Sequence, residues 1–475
     1  MSKIGSDAVP LRIAIIGSGP SGFYAADHLQ KQKDLNVQID MFERLPTPFG
    51  LVRGGVAPDH QKIKSVTKLY DRIAQKDNFR FYGNVTLGKD ISRSDLQKYY
   101  HAVIYAVGSS SDKKLGIPGE DLINSMPATE FVGWYNAHPD YRDLEFDLSV
   151  ESVAVIGIGN VAMDVVRILA RSQDELDKTD IASYAQEALA NSNIKRIYVL
   201  GRRGPAQAAF TNPEIQELGE MQDADIVVSE RDMDLDEHSL AYLSSMEVDR
   251  KDARNVEILR EFVEREPEGK PKQIIMRFLT SPIEIIGDEK VEAIKVVRNE
   301  LYLNERGTIR PRTTDETEEI PVGLVFRSVG YKGVALPEVP FYDKWGIIPN
   351  KDGRVVKEFE SDEQVIGDYV VGWIKRGPSG IIGTNKPDSV ATVNKLLEDV
   401  ESEKLWSPES TNRDDFEAYL SQQKPDFITY ADWKIIDEIE LERGEKEGRP
   451  RVKFTEVSAM LEALAERKKS LAGAD

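Results

Sequence analysis

Twice in this chain a short apolar run ends in a glycine-rich turn that opens directly into a helix-spaced segment. Arg12 to Ile16 leads into Gly17-Ser18-Gly19-Pro20-Ser21-Gly22, and Phe23 to Gln30 then continues with helical periodicity. Ser152 to Ile156 leads into Gly157-Ile158-Gly159-Asn160-Val161-Ala162, and the helical pattern runs to about Arg171. Strand, tight turn and helix in this order form a phosphate-binding unit. The first glycine permits the turn and the second lets backbone approach a pyrophosphate. The third small residue lets helix and strand pack, and the helix N-terminus offers free N–H groups to the anion. The fold class expected is therefore α/β, with two Rossmann-like dinucleotide-binding units in one chain.

The intervening segments predict how the two units are joined. Val37 to Phe42 reads as a strand ending at Glu43, followed by a Pro/Gly-rich loop from Arg44 to Pro58 and a helix from about Asp59 to Ile73. A loop of that length in a compact unit usually binds something. Phe79 to Tyr82 and His101 to Ala106 read as strands, the second closing at Gly108. Beyond the second turn come a polar helical insert from about Gln173 to Ala190 and a strand over Lys195 to Leu200. Ile274 to Ile286 and Val291 to Leu303 alternate like antiparallel strands, and Leu324 to Val329 closes at Gly330. Gln364 to Trp373 is strand-like, Asp388 to Val400 is helical, and amphipathic helices are expected near Tyr430 to Arg443 and Val457 to Arg467. The glycine closures near 108 and 330 predict crossings between units. The crossings divide the chain into residues 1–108, 109–330 and 331–400, and residues 401–475 are expected to be a C-terminal helical extension packed on the surface of the first domain.

The ribose-reading positions separate the two units chemically. Glu43 stands 21 residues after Gly22, where a carboxylate accepts both ribose hydroxyls of an adenosine. In the second unit that place holds Gly201-Arg202-Arg203. Guanidinium forks match phosphate geometry and attract a 2'-phosphate that a carboxylate would repel. One unit that rejects the 2'-phosphate and one that welcomes it imply FAD on the first and NADPH on the second. Hydride transfer between them follows.

Composition narrows the chemistry. There is no cysteine, so disulfide exchange, thiolate relays and an iron-sulfur cluster held by this chain are excluded, and redox chemistry must come from an organic cofactor. The formal charge of -20 argues against nucleic-acid binding, and acidic clusters such as Asp223 to Asp236 are expected to be solvated surface. No apolar run approaches the roughly 18 residues a spanning helix needs, and Met1 to Pro10 lacks the features of a secretory signal. The expectation is a cytoplasmic monomer with no metal site.

Six ordered motifs spanning residues 17 to 378 resemble adrenodoxin-reductase-like ferredoxin-NADP reductases. They are the first turn, Pro48 to Arg53, Gly55 to His60, Gly159 to Asp164, Gly201 to Pro205, and Gly372 to Pro378. The resemblance implies an NADP domain inserted into a discontinuous FAD domain. It implies that Ser21, Glu43, Leu51 and Val85 line the adenosine and pyrophosphate side of FAD, and Trp373, Gly380, Ile381 and Ile382 the flavin. For NADPH it implies Asn160 and Val161 at the pyrophosphate, Arg202 and Arg203 at the 2'-phosphate, and Glu214 and Gly380 towards the nicotinamide. His60 falls in a loop that the family places beside the flavin, with Asp164 or Glu214 as alternative carboxylate partners for a proton-handling role. Capping the following helix is the plainer role for this histidine.

The resemblance further implies one-electron transfers to a ferredoxin-type iron-sulfur protein. Arg250, Lys251 and Arg254, or Lys375 and Arg376, are the candidate basic patches for an acidic partner. Gln216 stands where adrenodoxin-binding members carry a basic residue. A disulfide reductase is excluded by the missing cysteines. A flavin monooxygenase and a non-catalytic NADPH sensor are the remaining alternatives.

Overall fold

The computed structural model describes residues 3–473 and contains two sheets of largely parallel strands, each built around one of the glycine-rich turns. In the first sheet the strands run from edge to edge Asn350–Lys351, Arg354–Val356, Gln364–Val370, Ala102–Tyr105, Leu11–Ile16, Val37–Phe42 and Phe79–Tyr82. In the second they run Ser125–Pro127, Leu324–Arg327, Ser152–Ile156, Arg196–Leu200, Lys272–Arg277 and Ala224–Val228. Leu11–Ile16 and Ser152–Ile156 are buried at every position, as expected of strands in parallel sheets covered on both faces. Each is flanked by strands that lie on opposite sides of it in the sheet, which opens a crevice at its C-terminal end where the glycine turn sits.

The first sheet draws strands from both sides of the second, so one unit is inserted in the other. The chain leaves and returns side by side: Ser111–Asp112 pairs antiparallel with Tyr331–Lys332. A separate antiparallel sheet of Thr280–Ile286, Ala293–Leu303 and Ile309–Pro321 packs on the second unit, burying Ile285, Ile294, Val296 and Ile320 against Ile156 and Val325.

Several expected elements differ in the structure. The helix anticipated over Asp59 to Ile73 is two short helices, Gln61–Lys64 and Thr67–Ala74. Between them Ser65 and Val66 donate to the carbonyls three residues back, tightening the chain out of α-helical register. The expected strand over Ile274 to Ile286 is split at Leu279, whose φ of 52° turns the chain. Lys272–Arg277 joins the parallel sheet and Thr280–Ile286 the antiparallel one, because alternation alone does not name a strand's partners. The strand expected to reach Trp373 stops at Val370, where Gly372, with φ of 76°, turns the chain into a helical turn Trp373–Arg376. The last FAD-side helix begins at Asn385 rather than Asp388. The insert after the second turn is two helices, Gln173–Leu176 and Ser183–Ala190.

The cluster Asp223 to Asp236 is solvated surface only in part: Glu230 and Asp234 are exposed, but Asp225 and Asp232 are buried. Ala224–Val228 is a sheet strand through its middle, Asp225 accepts the backbone N–H groups of Glu268, Gly269 and Lys270, and Asp232 accepts that of Phe278. Charge density misled here because these carboxylates cap backbone donors that a solvated cluster would leave to water.

The region after residue 401 is built into the core. Trp433, Ile436, Met460 and Leu464 pack with Phe49 and Tyr70, while Phe416 and Leu420 pack with Tyr82 and Tyr100. Fully buried Glu440 receives Arg53 at 2.5 and 2.8 Å, Arg451 at 3.1 Å and the Phe454 backbone N–H at 2.9 Å. The segment after it bridges both units: Arg449 donates to the carbonyls of Thr179 and Ile181, and Lys453 to those of Asn136 and Arg53.

Removing Glu440 leaves the largely buried Arg53 guanidinium without a carboxylate and Arg451 with Asp437 alone, at 2.7 Å. Glu440→Ala is expected to lower unfolding stability in urea by about 3–5 kcal/mol, whereas Glu442→Ala, which breaks an exposed surface pair with Arg467, is expected to cost far less. Equal losses for the two variants would remove Glu440 from the core of the assembly.

Candidate active site between two dinucleotide cradles

Both cradles are shaped to receive phosphate. Gly17 has φ of 102°, and a Cβ there would lie 2.6 Å from the Ala106 carbonyl oxygen. Gly157 has φ of 131°, and its Cβ would lie 2.2 Å from the Ser328 carbonyl oxygen. No side chain fits at either place. Over Gly19 and Gly159 the situation reverses, with no atom within 4 Å of a built Cβ. The backbone is therefore open where a pyrophosphate must approach, directly before helices Pro20–Leu29 and Asn160–Ala170. Gly22 lies buried in the first helix and Ala162 takes the same place in the second.

Glu43 is held at the first cradle by Ser18, whose backbone N–H and Oγ–H donate to Oε2 at 3.1 and 2.6 Å, and by Leu45 N–H at 3.2 Å to Oε1. Val85 is buried beside it and donates its N–H to the Glu43 carbonyl at 2.9 Å. Within the segment expected to be a Pro/Gly-rich loop, Leu51 opens the helical turn Leu51–Gly54, and its side chain is exposed. From the far end of the chain, Gly372 comes so close to Ser21 that a Cβ would meet the Ser21 Oγ at 2.5 Å. Ser389 Oγ–H donates to the Ser21 carbonyl at 2.9 Å. Trp373, Gly380, Ile381 and Ile382 thus follow directly on a turn seated against the first cradle, with Gly380 and Ile381 exposed ahead of helix Asn385–Glu401. Arg376 Nη1 is buried there without a hydrogen-bond partner among the described residues. These features fit FAD along the first cradle.

In the second cradle the Asn160 side chain has a duty that sequence reading did not supply. Its Oδ1 accepts the Thr211 backbone N–H at 2.9 Å, and the Ile158 carbonyl accepts those of Ala209 and Phe210. Val161 lies in the first turn of helix Asn160–Ala170, directly after the open backbone at Gly159. The same three bonds tie down the loop before helix Asn212–Leu218 and so aim Glu214 and Glu217 across the site.

His60 occupies the N-cap position of Gln61–Lys64, yet its side chain caps nothing. It crosses to the second unit. Nε2 lies 2.9 Å from Glu217 Oε2, and Nδ1 lies 3.9 Å from both Asp164 and Glu214. The two anticipated carboxylates are present, but the closest partner is Glu217, which was not singled out in the sequence. Its signal was its position three residues after Glu214 on one helical face. Arg167 was also missed. Its fully buried guanidinium donates to Asp59 at 2.6 Å, to Asp164 at 2.6 Å and to Glu214 at 2.8 Å, and lies 3.5 Å from Glu217. Arg171 adds a second bond to Asp59 at 2.7 Å.

The charges set the protonation states. Burial first, and then Asp164, push the Glu214 carboxyl up to about 7 against the pull of Arg167. Burial opposes a charged His60, but the Glu217 hydrogen bond and the Asp59 and Glu214 charges outweigh it, so the imidazole titrates above its ordinary value. The hydrogen bond from His60 in turn depresses Glu217.

A carboxyl raised from 4.5 to about 7 binds its proton more tightly in the folded protein. Its stabilising contribution is complete below the unfolded value and is lost as pH rises through about 7. Between pH 5 and 8 the wild type is expected to lose on the order of 1–3 kcal/mol more unfolding stability than Glu214→Gln. Parallel curves would mean that Glu214 is ionised throughout. Glu217→Gln should move the NMR titration of the His60 ring to lower pH, and an unmoved midpoint would show that Glu217 does not set its charge.

The comparisons agree with this geometry. The family model described as pyridine nucleotide-disulphide oxidoreductase matches residues 11–200. The chain is 45% identical over 462 residues to the NADPH-ferredoxin reductase FprA of Mycobacterium tuberculosis, covering 95% of this chain and 98% of that protein. It is 38% identical to the mitochondrial NADPH:adrenodoxin oxidoreductase of Arabidopsis thaliana, with 96% of each covered. The structure of Mycobacterium tuberculosis FprA in complex with NADPH superposes with a TM-score of 0.89 at 45% identity, covering 96% of this chain and all of that one. Two dinucleotide cradles, the acid on one and the arginine pair on the other, and likeness along nearly the whole length lead to one conclusion: the chain belongs to the adrenodoxin-reductase-like family of NADPH-ferredoxin reductases.

Proposed function

We propose that this protein moves electrons from NADPH through bound FAD to a ferredoxin-type iron-sulfur protein. The observation that carries the reading is the opposition of Glu43 on one cradle to Arg202 and Arg203 on the other. FAD, when bound, supplies the conversion from a hydride pair to single electrons. The chain's own residues do the rest. Ser21, Glu43, Leu51 and Val85 hold the adenosine and pyrophosphate of FAD, and Trp373, Gly380, Ile381 and Ile382 hold the flavin end. Gly157, Gly159, Asn160, Val161 and Ala162 seat the NADPH pyrophosphate, and Gly380 borders both cofactors.

Glu214, protonated near neutral pH, donates to the nicotinamide carboxamide. His60, steadied by Glu217, exchanges the proton that accompanies electron transfer, and Asp164 with Arg167 sets its field. Hydride transfer itself needs stacking and alignment, which the fixed approach of the two cradles provides.

Residues 1–108 and 331–400 form the FAD domain in this reading, 109–330 the NADP domain, and 401–475 an extension packed on both. The reading includes a cytoplasmic location and a monomeric state. The charge of -20 supports the absence of a nucleic-acid partner, and among the described residues no helix is long and apolar enough to cross a membrane. For the acidic partner, Arg254 is a weaker candidate than its sequence neighbourhood implied, since Glu257 and Glu261 hold it at 2.9 and 3.4 Å. Lys375 is likewise engaged by Asp388 at 2.9 Å.

Anaerobic mixing of the yellow holoenzyme with NADPH should bleach the flavin rapidly, and NADH much more slowly. A flavin that stays oxidised would defeat the reductase reading. Arg202→Ala with Arg203→Ala should reduce the preference for NADPH over NADH by roughly a hundredfold, on the order of 1.5–3 kcal/mol for loss of charge-assisted contacts. An unchanged preference would place the 2'-phosphate elsewhere.

A further inference from the structure

Arg202 and Arg203 do not stand alone. They line a cleft of about 420 Å³ with Tyr302, Asn304, Arg310 and Pro311, and the last four come from a different sheet. Tyr302 and Arg310 are cross-strand partners near the end of the hairpin formed by Ala293–Leu303 and Ile309–Pro321. The hairpin tip is rigidly made. Asn304 Oδ1 accepts the N–H groups of Arg306 and Thr308 at 3.0 and 2.8 Å, and the Asn304 N–H reaches the Thr308 carbonyl at 3.0 Å. The base of the hairpin is tied to the arginine turn itself, since Asn299 Nδ2 donates to the Arg202 carbonyl at 2.8 Å and the Leu279 N–H to that of Arg203 at 3.1 Å.

The charge pattern around this cleft is one-sided. Other arginines of this face have acidic partners: Arg231 with Glu316, Arg277 with Glu318, Arg298 with Asp232 and Arg312 with Glu300, all within 3.2 Å. Among the described residues, no carboxylate oxygen lies within 4.0 Å of Arg202, Arg203 or Arg310. Asp252 is the acid that acts on Arg203, and it is engaged by Lys251 at 3.0 Å and by the Tyr242 hydroxyl at 2.9 Å. Burial first, and then the charges of Arg202 and Arg310, depress the Arg203 guanidinium, so the three cations feel one another. In a chain of net charge -20, three guanidinium groups without acidic partners facing one cleft make a local site that suits an anion of high charge density.

We propose that Arg310 is a third guanidinium of the 2'-phosphate subsite, so that the antiparallel hairpin forms the outer wall that selects NADPH over NADH. The inference rests on the assignment of Arg202 and Arg203 to that phosphate. It adds a specificity residue that lies 107 positions beyond Arg203 and outside the dinucleotide-binding motif. Arg202 and Arg203 come to the cleft from the end of the strand Arg196–Leu200, whereas Arg310 comes to it from the hairpin strand Ile309–Pro321.

The test uses the intact holoenzyme, with the ratio of kcat/KM for NADPH to that for NADH as the first readout and calorimetric binding of 2',5'-ADP against 5'-ADP as the second. Arg310→Ala is expected to lower the kinetic ratio about tenfold and to weaken 2',5'-ADP by a similar factor. Arg310→Lys should recover part of the loss, because it restores charge without the fork. Flavin content and thermal midpoint identify a folding defect, in which case Arg310→Gln and the 2',5'-ADP titration decide. If Arg310 variants keep the full ratio while Arg202→Ala with Arg203→Ala loses it, Arg310 is outside the subsite and the inference falls alone. If neither set changes the ratio, the assignment of the cleft to the 2'-phosphate falls with it.

Discussion

The buried guanidinium of Arg167 is the contact on which the relation between the two units depends. It lies on the helix that opens the second cradle, and it reaches Asp59 of the first unit's loop while also holding Asp164 and Glu214 of its own. An unpaired guanidinium in such a place would be strongly destabilising, so the loop, the helix and Glu214 are favoured together or not at all. His60 follows Asp59 directly, and its approach to the carboxylates of the second unit is a consequence of that bond. Four acids, Asp59, Asp164, Glu214 and Glu217, gather around Arg167, Arg171 and His60. Acids outnumber cations even when His60 is charged, and together with burial this excess raises the Glu214 carboxyl to about 7.

The two cradles show how little of cofactor choice lies in the phosphate turn. Their glycines do the same steric work, with Gly17 and Gly157 each pressed against a carbonyl of a neighbouring strand end. In the proposed reading, discrimination comes from the end of the next strand, acid in one unit and arginine in the other. It is reinforced from outside the unit, because Asn299 and the hairpin anchor the turn that carries Arg202 and Arg203. Ile158 packs beneath Gly201 and presents its carbonyl to Ala209 and Phe210, so an apolar side chain there serves the loop that aims Glu214.

The C-terminal region carries structural weight out of proportion to its polar composition. Glu440 neutralises Arg53 and Arg451, and Arg413 shares fully buried Asp40 with Arg12. These are pairs between residues hundreds of positions apart in several cases, and a charged amphipathic stretch reads the same whether its charges meet water or one another. The same limitation hid the interior role of Asp225 and Asp232.

What the sequence determined by itself was local and periodic. The two strand-turn-helix units, Glu43, the arginine pair, the glycine closures near the crossings and the missing cysteines were legible, because each depends on spacing along one segment. With the family resemblance they led to two cofactors and an inserted domain. The tertiary structure decided what depends on separate segments meeting: Glu217 rather than Asp164 or Glu214 as the nearest partner of His60, Arg167 as the shared counter-ion, the division of Lys272–Ile286 between two sheets, and Arg310 beside Arg202 and Arg203. The reason is physical. A side chain's hydrogen-bond and charge partners are set by distance in space, and periodicity fixes which face a residue lies on without fixing what that face will meet.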